Sequence, residues 1–382
     1  MTLHPSPQTE QESWRPALRE GLQFRPVSCG RVFVSHPEAA SQILDARVCD
    51  ALREARGQPI EESLPRVREI LEYDCTADEW RGFLEQLADF GYFEGRPKRN
   101  SRVRLFDPGP AIEFLTQRCR WVFTLPAGLF LAGLLLAGLW RLASNWAFFV
   151  AEVTRVTGNY PLLALVLYYL CFVPIGLLHE LAHGLVCRWF GGEVLEVGVK
   201  KDSANLYVLS NTAPLREPRQ FILYFAGGAF LDMLAFFALV NLWLAVPNAL
   251  TLMLLLPQAI FVLFYSYSME NGSDLSKIIS QWLGIPEAKG RRDFLKSLWK
   301  KRPQTAAERK RAVIYLSSIA AQAAAAAFLI WAFRAPAAIH LPGGIQFRVP
   351  FWPPLLYLLY RLLRRFAFDL PARFRALRAK AA

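Results

Sequence analysis

Two histidines and a glutamate with metal-binding spacing stand at the end of a long apolar stretch. His179, Glu180 and His183 form the pattern His-Glu-x-x-His. On a helix, residues four apart lie on one face, so both imidazoles can bind one metal ion. A zinc ion lowers the pKa of a bound water to about 7, and Glu180 is placed to take the proton and pass it to a leaving amine. These residues predict zinc-dependent peptide hydrolysis.

A catalytic zinc site needs a third protein ligand, and two carboxylates are candidates for it. Asp232 lies inside an apolar stretch, and Asp274 follows the next one, near the face at which the histidine helix also ends. This depth favours Asp274. Asp232 would then accept a hydrogen bond from an imidazole N–H, or lie between packed helices. On the residues alone, both ligand assignments stay open.

The motif lies in a chain with the composition of a membrane protein. Of the 382 residues, 53% are hydrophobic and only 20% are charged, which excludes a disordered or fibrous chain. A helix needs about 20 mostly apolar residues to cross a bilayer. The predicted spans are residues 121–140, 160–178, 221–246, 250–267, 312–333 and the short stretch 351–363, which spans or lies at the interface. The expected fold is mainly α, a polytopic helical membrane protein with about six spans.

Basic residues are concentrated in the apolar part of the chain. Residues 1–100 carry 13 basic and 17 acidic side chains, a net charge of −4, and residues 101–382 carry 31 and 15, a net charge of +16. Lys and Arg flank membrane spans on the cytoplasmic side. The pattern predicts a cytoplasmic N-terminus and a lipid bilayer as partner, and no nucleic-acid binding. The six cysteines include no C-x-x-C pair, which argues against a zinc ribbon or a thioredoxin-like site.

The polar first part of the chain predicts a small soluble domain ahead of the membrane region. Thr76 and Glu79 form a capping-box pattern that opens one of its helices. The predicted elements are a strand at 31–35, helices at 39–56, 61–73 and 76–90, and a final strand from 91. This order indicates an α+β winged-helix-like domain. The predicted domains are a flexible tail at 1–20, the soluble domain at 21–95, a basic linker at 96–120, a membrane-embedded metalloprotease domain at 121–370 and a basic tail at 371–382.

The histidine motif and the residues that follow it resemble a known family. His179-Glu-x-x-His183, followed by Arg188-Trp-Phe-Gly-Gly192, is similar to the zinc helix of site-2-type intramembrane metalloproteases, in particular their bacterial peptide zinc metalloprotease branch. In that branch an aspartate about ten residues before a Leu-Gly-Ile-Pro turn supplies the third ligand. Asp274 stands ten residues before Gly284 of the matching turn at 283–286.

The resemblance covers about residues 120–300 and carries functional expectations with it. It implies a Zn²⁺-dependent endopeptidase in the cytoplasmic membrane of a bacterium, which cuts a peptide precursor or a membrane-anchored protein near the cytoplasmic face. The sequence departs from the family at Leu275, where a glycine is usual, and at Ser268-Met269, where Asn-Pro is usual. The alternative is therefore a weak or inactive member that acts in peptide export, in immunity or as a metal-binding scaffold.

Two further segments resemble peptide-binding elements. Residues 193–220 match the place of a substrate-edge hairpin, in which 206–209 would be a strand that pairs with an extended substrate. Asn211 would polarise the scissile carbonyl or be a turn residue. The soluble domain is similar in layout to small winged-helix-like domains that bind leader peptides in ribosomal peptide maturation, which implies a precursor peptide as partner. A regulatory or structural cap is the alternative for that domain.

Overall fold

The computed structural model describes residues 15–95, 102–200, 205–260, 262, 273–283 and 305–364. The described chain is mostly helical, with long apolar helices and a small β region near the N-terminus, as predicted. It divides into two compact units. The N-terminal unit joins residues 1–110 with 191–214, and the C-terminal unit joins residues 111–190 with 215–382. The predicted domain boundaries at 95 and 121 stay a prediction, and a segment from the middle of the chain folds with the N-terminal residues.

The N-terminal unit begins with a three-stranded antiparallel sheet and continues with three helices. The strands β1 (Gln23–Val27), β2 (Arg31–Ser35) and β3 (Gln42–Asp45) lie in that order. The helices are α1 (Ala46–Glu54), α2 (Ile60–Leu71) and α3 (Ala77–Asp89). Their apolar faces pack into one core with the sheet, with Val34, Leu52, Val67 and Leu84 at its centre.

The sequence predicted the three helices but not the complete sheet. The first residues of the predicted helix 39–56 pair with β2 as β3, and the helix begins only after Asp45, whose side chain accepts a hydrogen bond from the backbone of Arg47. The predicted final strand is a single bridge between Leu18 and Phe93. In the expected helix–helix–helix–strand order, the first helix thus begins later than predicted and the last strand is reduced to this bridge. The capping box of Thr76 and Glu79 is confirmed.

A second sheet in the N-terminal unit comes from distant parts of the chain. Strand β4 (Arg102–Phe106) pairs with β5 (Glu193–Lys200), which pairs with β6 (Asn205–Asn211), all antiparallel. Helix α4 (Gly109–Arg118) follows β4. The predicted linker 96–120 is therefore wrong over these two elements. Its arginines alternate with apolar residues at a period of two, which is a strand pattern.

The β5–β6 hairpin carries a buried polar pair. The ring of Tyr207 covers Gly198, where an added β-carbon would lie 2.4 Å from the tyrosine oxygen. The Tyr207 hydroxyl donates a 2.5 Å hydrogen bond to Oε1 of Glu196, which is almost fully buried. Burial, together with this hydrogen bond, raises the pKa of Tyr207 above its usual range. The pair stays inside the sheet as a fixed cross-strand contact.

Among its described residues, the C-terminal unit contains three helices that are long and apolar enough to span a bilayer. They are α5 (Leu125–Ser144), α7 (Pro161–Trp189) and α8 (Pro218–Ala245). Further elements accompany them: α6 (Trp146–Asn159), α9 (Ala249–Ile260), α10 (Asp274–Leu283), α11 (Ala306–Ala332), the hairpin of β7 (Ala337–His340) and β8 (Gln346–Val349), and α12 (Trp352–Arg364). That the chain crosses the membrane about six times stays a prediction. Part of the predicted span 250–267 lies outside the described residues.

The core of the C-terminal unit is formed by large apolar side chains from several helices. Val153 of α6, Trp243 of α8, Leu252 of α9 and Leu356 of α12 are all buried within it. Trp352 donates a hydrogen bond from its indole nitrogen to the Thr157 carbonyl, which fixes the start of α12 against α6. These contacts hold α8 and α9 in place beside the helix with the histidine motif.

Candidate metal centre

Both histidines of the motif lie on one face of α7 and are buried. His179 and His183 are 7% and 4% exposed, and their Nε2 atoms are 3.2 Å apart. Residues that precede α7 in the chain hold its C-terminal end in place. Arg188 in its last turn pairs with Glu113 of α4, and the ring of Trp189 stacks on Phe123 with centroids 4.5 Å apart. The hydrogen bond from Arg188 lowers the pKa of the Glu113 carboxyl.

Asp274 brings a carboxylate oxygen to the two imidazoles. It is the first residue of α10, and its Oδ2 lies 3.0 Å from Nε2 of His179 and 3.2 Å from Nε2 of His183. The three side chains can offer ligand atoms that all lie within 4.8 Å of one another. Two imidazole nitrogens and one carboxylate oxygen form a set that fits a divalent transition metal such as zinc. The cluster can therefore bind a metal ion, as the sequence predicted.

Asp232 faces the opposite nitrogen of His179. Its Oδ2 lies 2.7 Å from Nδ1 of that histidine, while Nε2 points toward Asp274. When Nε2 binds a metal ion through its lone pair, Nδ1 carries the ring proton and donates it to the Asp232 carboxylate, which can only accept. Gln258 of α9 donates a 3.0 Å hydrogen bond to the Asp232 carbonyl. The geometry places Asp274 in the ligand cluster and Asp232 behind the histidine.

His183 is oriented in the same way by a backbone group. Its Nδ1 lies 2.7 Å from the carbonyl oxygen of Tyr224, which can only accept. Tyr224 and Asp232 both belong to α8, so one helix supplies the acceptors for both imidazoles. Such acceptors fix the ring and its tautomer in metal sites. The role of Tyr224 could not be recognised from the sequence, because any residue type has a backbone carbonyl.

Two glycines allow α8 to come this close to α7. A β-carbon added at Gly228 would lie 2.5 Å from Cε1 of His179, and one at Gly227 would lie 2.9 Å from Cγ2 of Val186. Real side-chain atoms do not approach so closely, so both positions need glycine. The glycine pair thus determines how α8 meets the histidine face.

Glu180 follows His179 on α7 and is partly exposed. At 3.6 residues per turn, it is rotated by about 100° from His179 and about 60° from His183 around the helix axis. It therefore borders the face that carries the ligands. A partly exposed carboxylate beside a metal-ligand face is positioned to exchange protons with a bound molecule.

Asn211 ends β6 in the N-terminal unit and is buried. Its amide nitrogen lies 3.1 Å from both the carbonyl oxygen and Oγ of Ser28, and its Oδ1 accepts a hydrogen bond from the Ala213 backbone. The backbone of Ser28 also donates to Oε1 of Glu193, the strand partner of Asn211. These bonds favour the turn interpretation of Asn211.

Lys277 is a charged residue near the cluster that the sequence analysis did not single out. It lies one turn after Asp274 on α10, with Nζ 3.7 Å from Oδ1 of that aspartate. Its ammonium also lies 4.9 Å from the ring centroid of Phe225. The spacing of three residues between an acid and a base on a helix was the available signal.

No protein-family model, curated protein or solved structure matches this chain.

Proposed function

We propose that the protein is a zinc-dependent, membrane-embedded endopeptidase. It hydrolyses a peptide bond in a peptide precursor or in a membrane-anchored protein, near the cytoplasmic face of a bacterial cytoplasmic membrane. The observation that carries the proposal is the convergence of Asp274 with His179 and His183, which lie on a helix of spanning length together with Glu180. Three ligands with a general base next to them are the parts of a hydrolytic metal site.

The donor set fits zinc. Catalytic zinc is held by three protein ligands and keeps one position open, and two histidines with one carboxylate are a common set. A zinc ion held by these atoms supplies a Lewis acid that makes water reactive at neutral pH. Asp232 and the Tyr224 carbonyl hold the protons on Nδ1 of His179 and His183, so both Nε2 lone pairs remain available for the ion.

Glu180 performs both proton transfers of the hydrolysis. Its carboxylate takes a proton from the attacking water and gives it to the leaving amine, so it acts first as base and then as acid. The substrate would bind as an extended strand along β6, which pairs with β5 on one side and has no second partner among the described strands. The edges of the β1–β3 sheet would bind a precursor peptide in the same manner.

The proposal is tested with Glu180→Gln, which removes the base and keeps the size of the side chain. Loss of general-base catalysis slows cleavage by about 10²- to 10⁴-fold. We expect the purified variant to hold stoichiometric zinc, measured by elemental analysis, and to leave a peptide library intact when the wild-type protein cleaves it. A wild-type protein without bound metal, or a variant that cleaves as fast as the wild type, would show the proposal to be wrong.

A second candidate function is metal binding without hydrolysis. The departures from the family pattern at Leu275 and at 268–269 favour it, because they border the third ligand. Such a protein would serve in peptide export, in immunity or as a membrane scaffold. The cellular function of such a protein would survive Glu180→Ala, which leaves the three metal ligands in place, whereas that of an endopeptidase would not. A role in export or immunity that needs no metal would also survive His183→Ala.

A further inference from the structure

The two oxygens of the Asp274 carboxylate have different neighbours. Oδ2 faces both histidines at 3.0 and 3.2 Å, and Oδ1 faces the ammonium of Lys277 at 3.7 Å. A free carboxylate can rotate and offer either oxygen, or both, to a metal ion. The cation beside Oδ1 favours the one orientation that presents Oδ2 to the histidines.

Lys277 is itself held in place by a second contact. Its ammonium lies 4.9 Å from the ring centroid of Phe225 on α8, which is the geometry of a cation–π interaction. Phe225 directly follows Tyr224, whose carbonyl accepts the hydrogen bond from His183. One lysine thus connects the helix that carries Asp274 to the helix that orients both imidazoles.

We infer that Lys277 is a positioning residue of the metal centre, which holds Asp274 so that a single carboxylate oxygen reaches the ion and the fourth position stays open. This inference rests on the proposed function, because it concerns the same site. Groups that orient metal ligands typically change affinity by about 10- to 100-fold when they are removed. Lys277 acts through Asp274 and contacts neither the ion nor the substrate in this role.

Two effects of Lys277 on metal binding have opposite signs, and this makes the inference testable. A positive charge near the site repels a dication, so its removal alone would tighten zinc binding. Loss of the positioning contact frees the carboxylate and weakens zinc binding. If Lys277 is a positioning residue, Lys277→Met weakens binding in spite of the relief of repulsion.

The experiment measures the zinc dissociation constant of the full-length protein by competition with a chelator. We expect an increase of about 10-fold or more in Lys277→Met, in line with other groups that orient metal ligands. Lys277→Arg keeps the charge and the cation–π contact and should restore most of the affinity. The ligand-field spectrum of cobalt(II), bound in place of zinc, should change in Lys277→Met and return in Lys277→Arg.

The matched control is Arg155→Met. Arg155 forms an ion pair with Glu152 at the same spacing of three residues on α6, at 2.6 Å. The control removes the same charge from an equivalent helical pair, and it should leave zinc affinity and the cobalt spectrum unchanged.

Each outcome bears on a different claim. Zinc binding that is equal or tighter in Lys277→Met overturns the positioning role and leaves the proposed function standing. A wild-type protein that binds no zinc overturns both. Weaker zinc binding in the variant, in a protein that cleaves no peptide, supports the positioning role and contradicts the endopeptidase.

Discussion

At the residue scale, each imidazole of the centre is engaged at both ring nitrogens. Nε2 of His179 and of His183 turns toward Asp274, while the Nδ1 atoms meet Asp232 and the Tyr224 carbonyl. The ligands and the groups that orient them are therefore separate residues. They should respond differently to substitution.

The first prediction separates Asp274 from Asp232. Asp274→Ala removes a donor atom, so we expect the purified protein to lose stoichiometric zinc. Asp232→Ala leaves the three donor atoms in place and frees the His179 ring, so zinc should stay bound with about 10- to 100-fold lower affinity. Chelator competition measures both.

Asp78→Ala, at an exposed site on α3, is the control and should not change zinc affinity. Complete loss of zinc in Asp232→Ala, with retention in Asp274→Ala, would reverse the two assignments.

The sequence predicted the ligands better than the groups around them. His179 and His183 could be found because they lie four residues apart on one helix, where spacing alone determines which residues share a face. Asp274 and Asp232 could be named as candidates, but their roles depend on which imidazole nitrogen each one meets. That is a property of how α8 and α10 pack against α7, and local spacing does not encode it.

At the element scale, the centre depends on the close approach of α8 to α7. Gly228 lies against the His179 ring, and any side chain there would displace the ring or the helix. In an unconstrained helix interior, alanine is more favourable than glycine by roughly 0.5–1 kcal/mol. Whether alanine at position 228 raises or lowers the stability therefore shows whether α8 packs closely against α7 there.

We predict that Gly228→Ala destabilises the protein and weakens zinc binding. The added β-carbon would lie 2.5 Å from Cε1 of His179, so α8 must shift away and take Asp232 with it. Small-to-large changes in packed interiors typically cost about 1–3 kcal/mol. Thermal unfolding in detergent and chelator competition measure the two effects.

Gly128→Ala on α5 is the matched control, because nothing lies within 4 Å of a β-carbon at that position. We expect unchanged zinc affinity and equal or higher thermal stability. Equal behaviour of the two variants would show that the helices do not meet at Gly228.

The strands show where sequence reasoning fails at this scale. The helices of the N-terminal unit could be predicted from their apolar periodicity and from the capping box at Thr76. Strand β4 is hard to distinguish from a basic linker in the sequence. Its partner β5 lies far away in the chain, and the arginines of β4 suggest a charged loop in spite of their alternation. Strand β3 was assigned to a helix, since four residues are too few to show a period of their own.

At the scale of the whole molecule, the N-terminal unit is built from two separate pieces of chain. The segment 191–214 contributes β5 and β6, and β4 has no other partner among the described strands. The backbone N–H of Ser28 also donates a hydrogen bond to Glu193, and its carbonyl oxygen accepts one from the Asn211 amide. The charge difference between residues 1–100 and 101–382 therefore does not mark the boundary between the two units.

The corresponding prediction concerns fragments. Residues 15–110 alone keep the core of β1–β3 and α1–α3, but the amides of β4 should exchange with solvent rapidly because β5 is missing. A fragment that joins 15–110 to 191–214 by a flexible linker should protect these amides. Hydrogen exchange read by mass spectrometry over residues 102–106 distinguishes the two, and protection in the shorter fragment would contradict the two-piece unit.

The two-piece unit also sets an order of events during biosynthesis. β4 leaves the ribosome before the helices α5 and α7, and β5 follows roughly 90 residues later, on the order of 5–20 seconds at ordinary elongation rates. Until then β4 has an open edge, and the arginines that alternate along it discourage pairing with other nascent chains. The sheet can close only once α7, which carries His179 and His183, has been synthesised, so the N-terminal unit is completed after the first half of the C-terminal unit has been made.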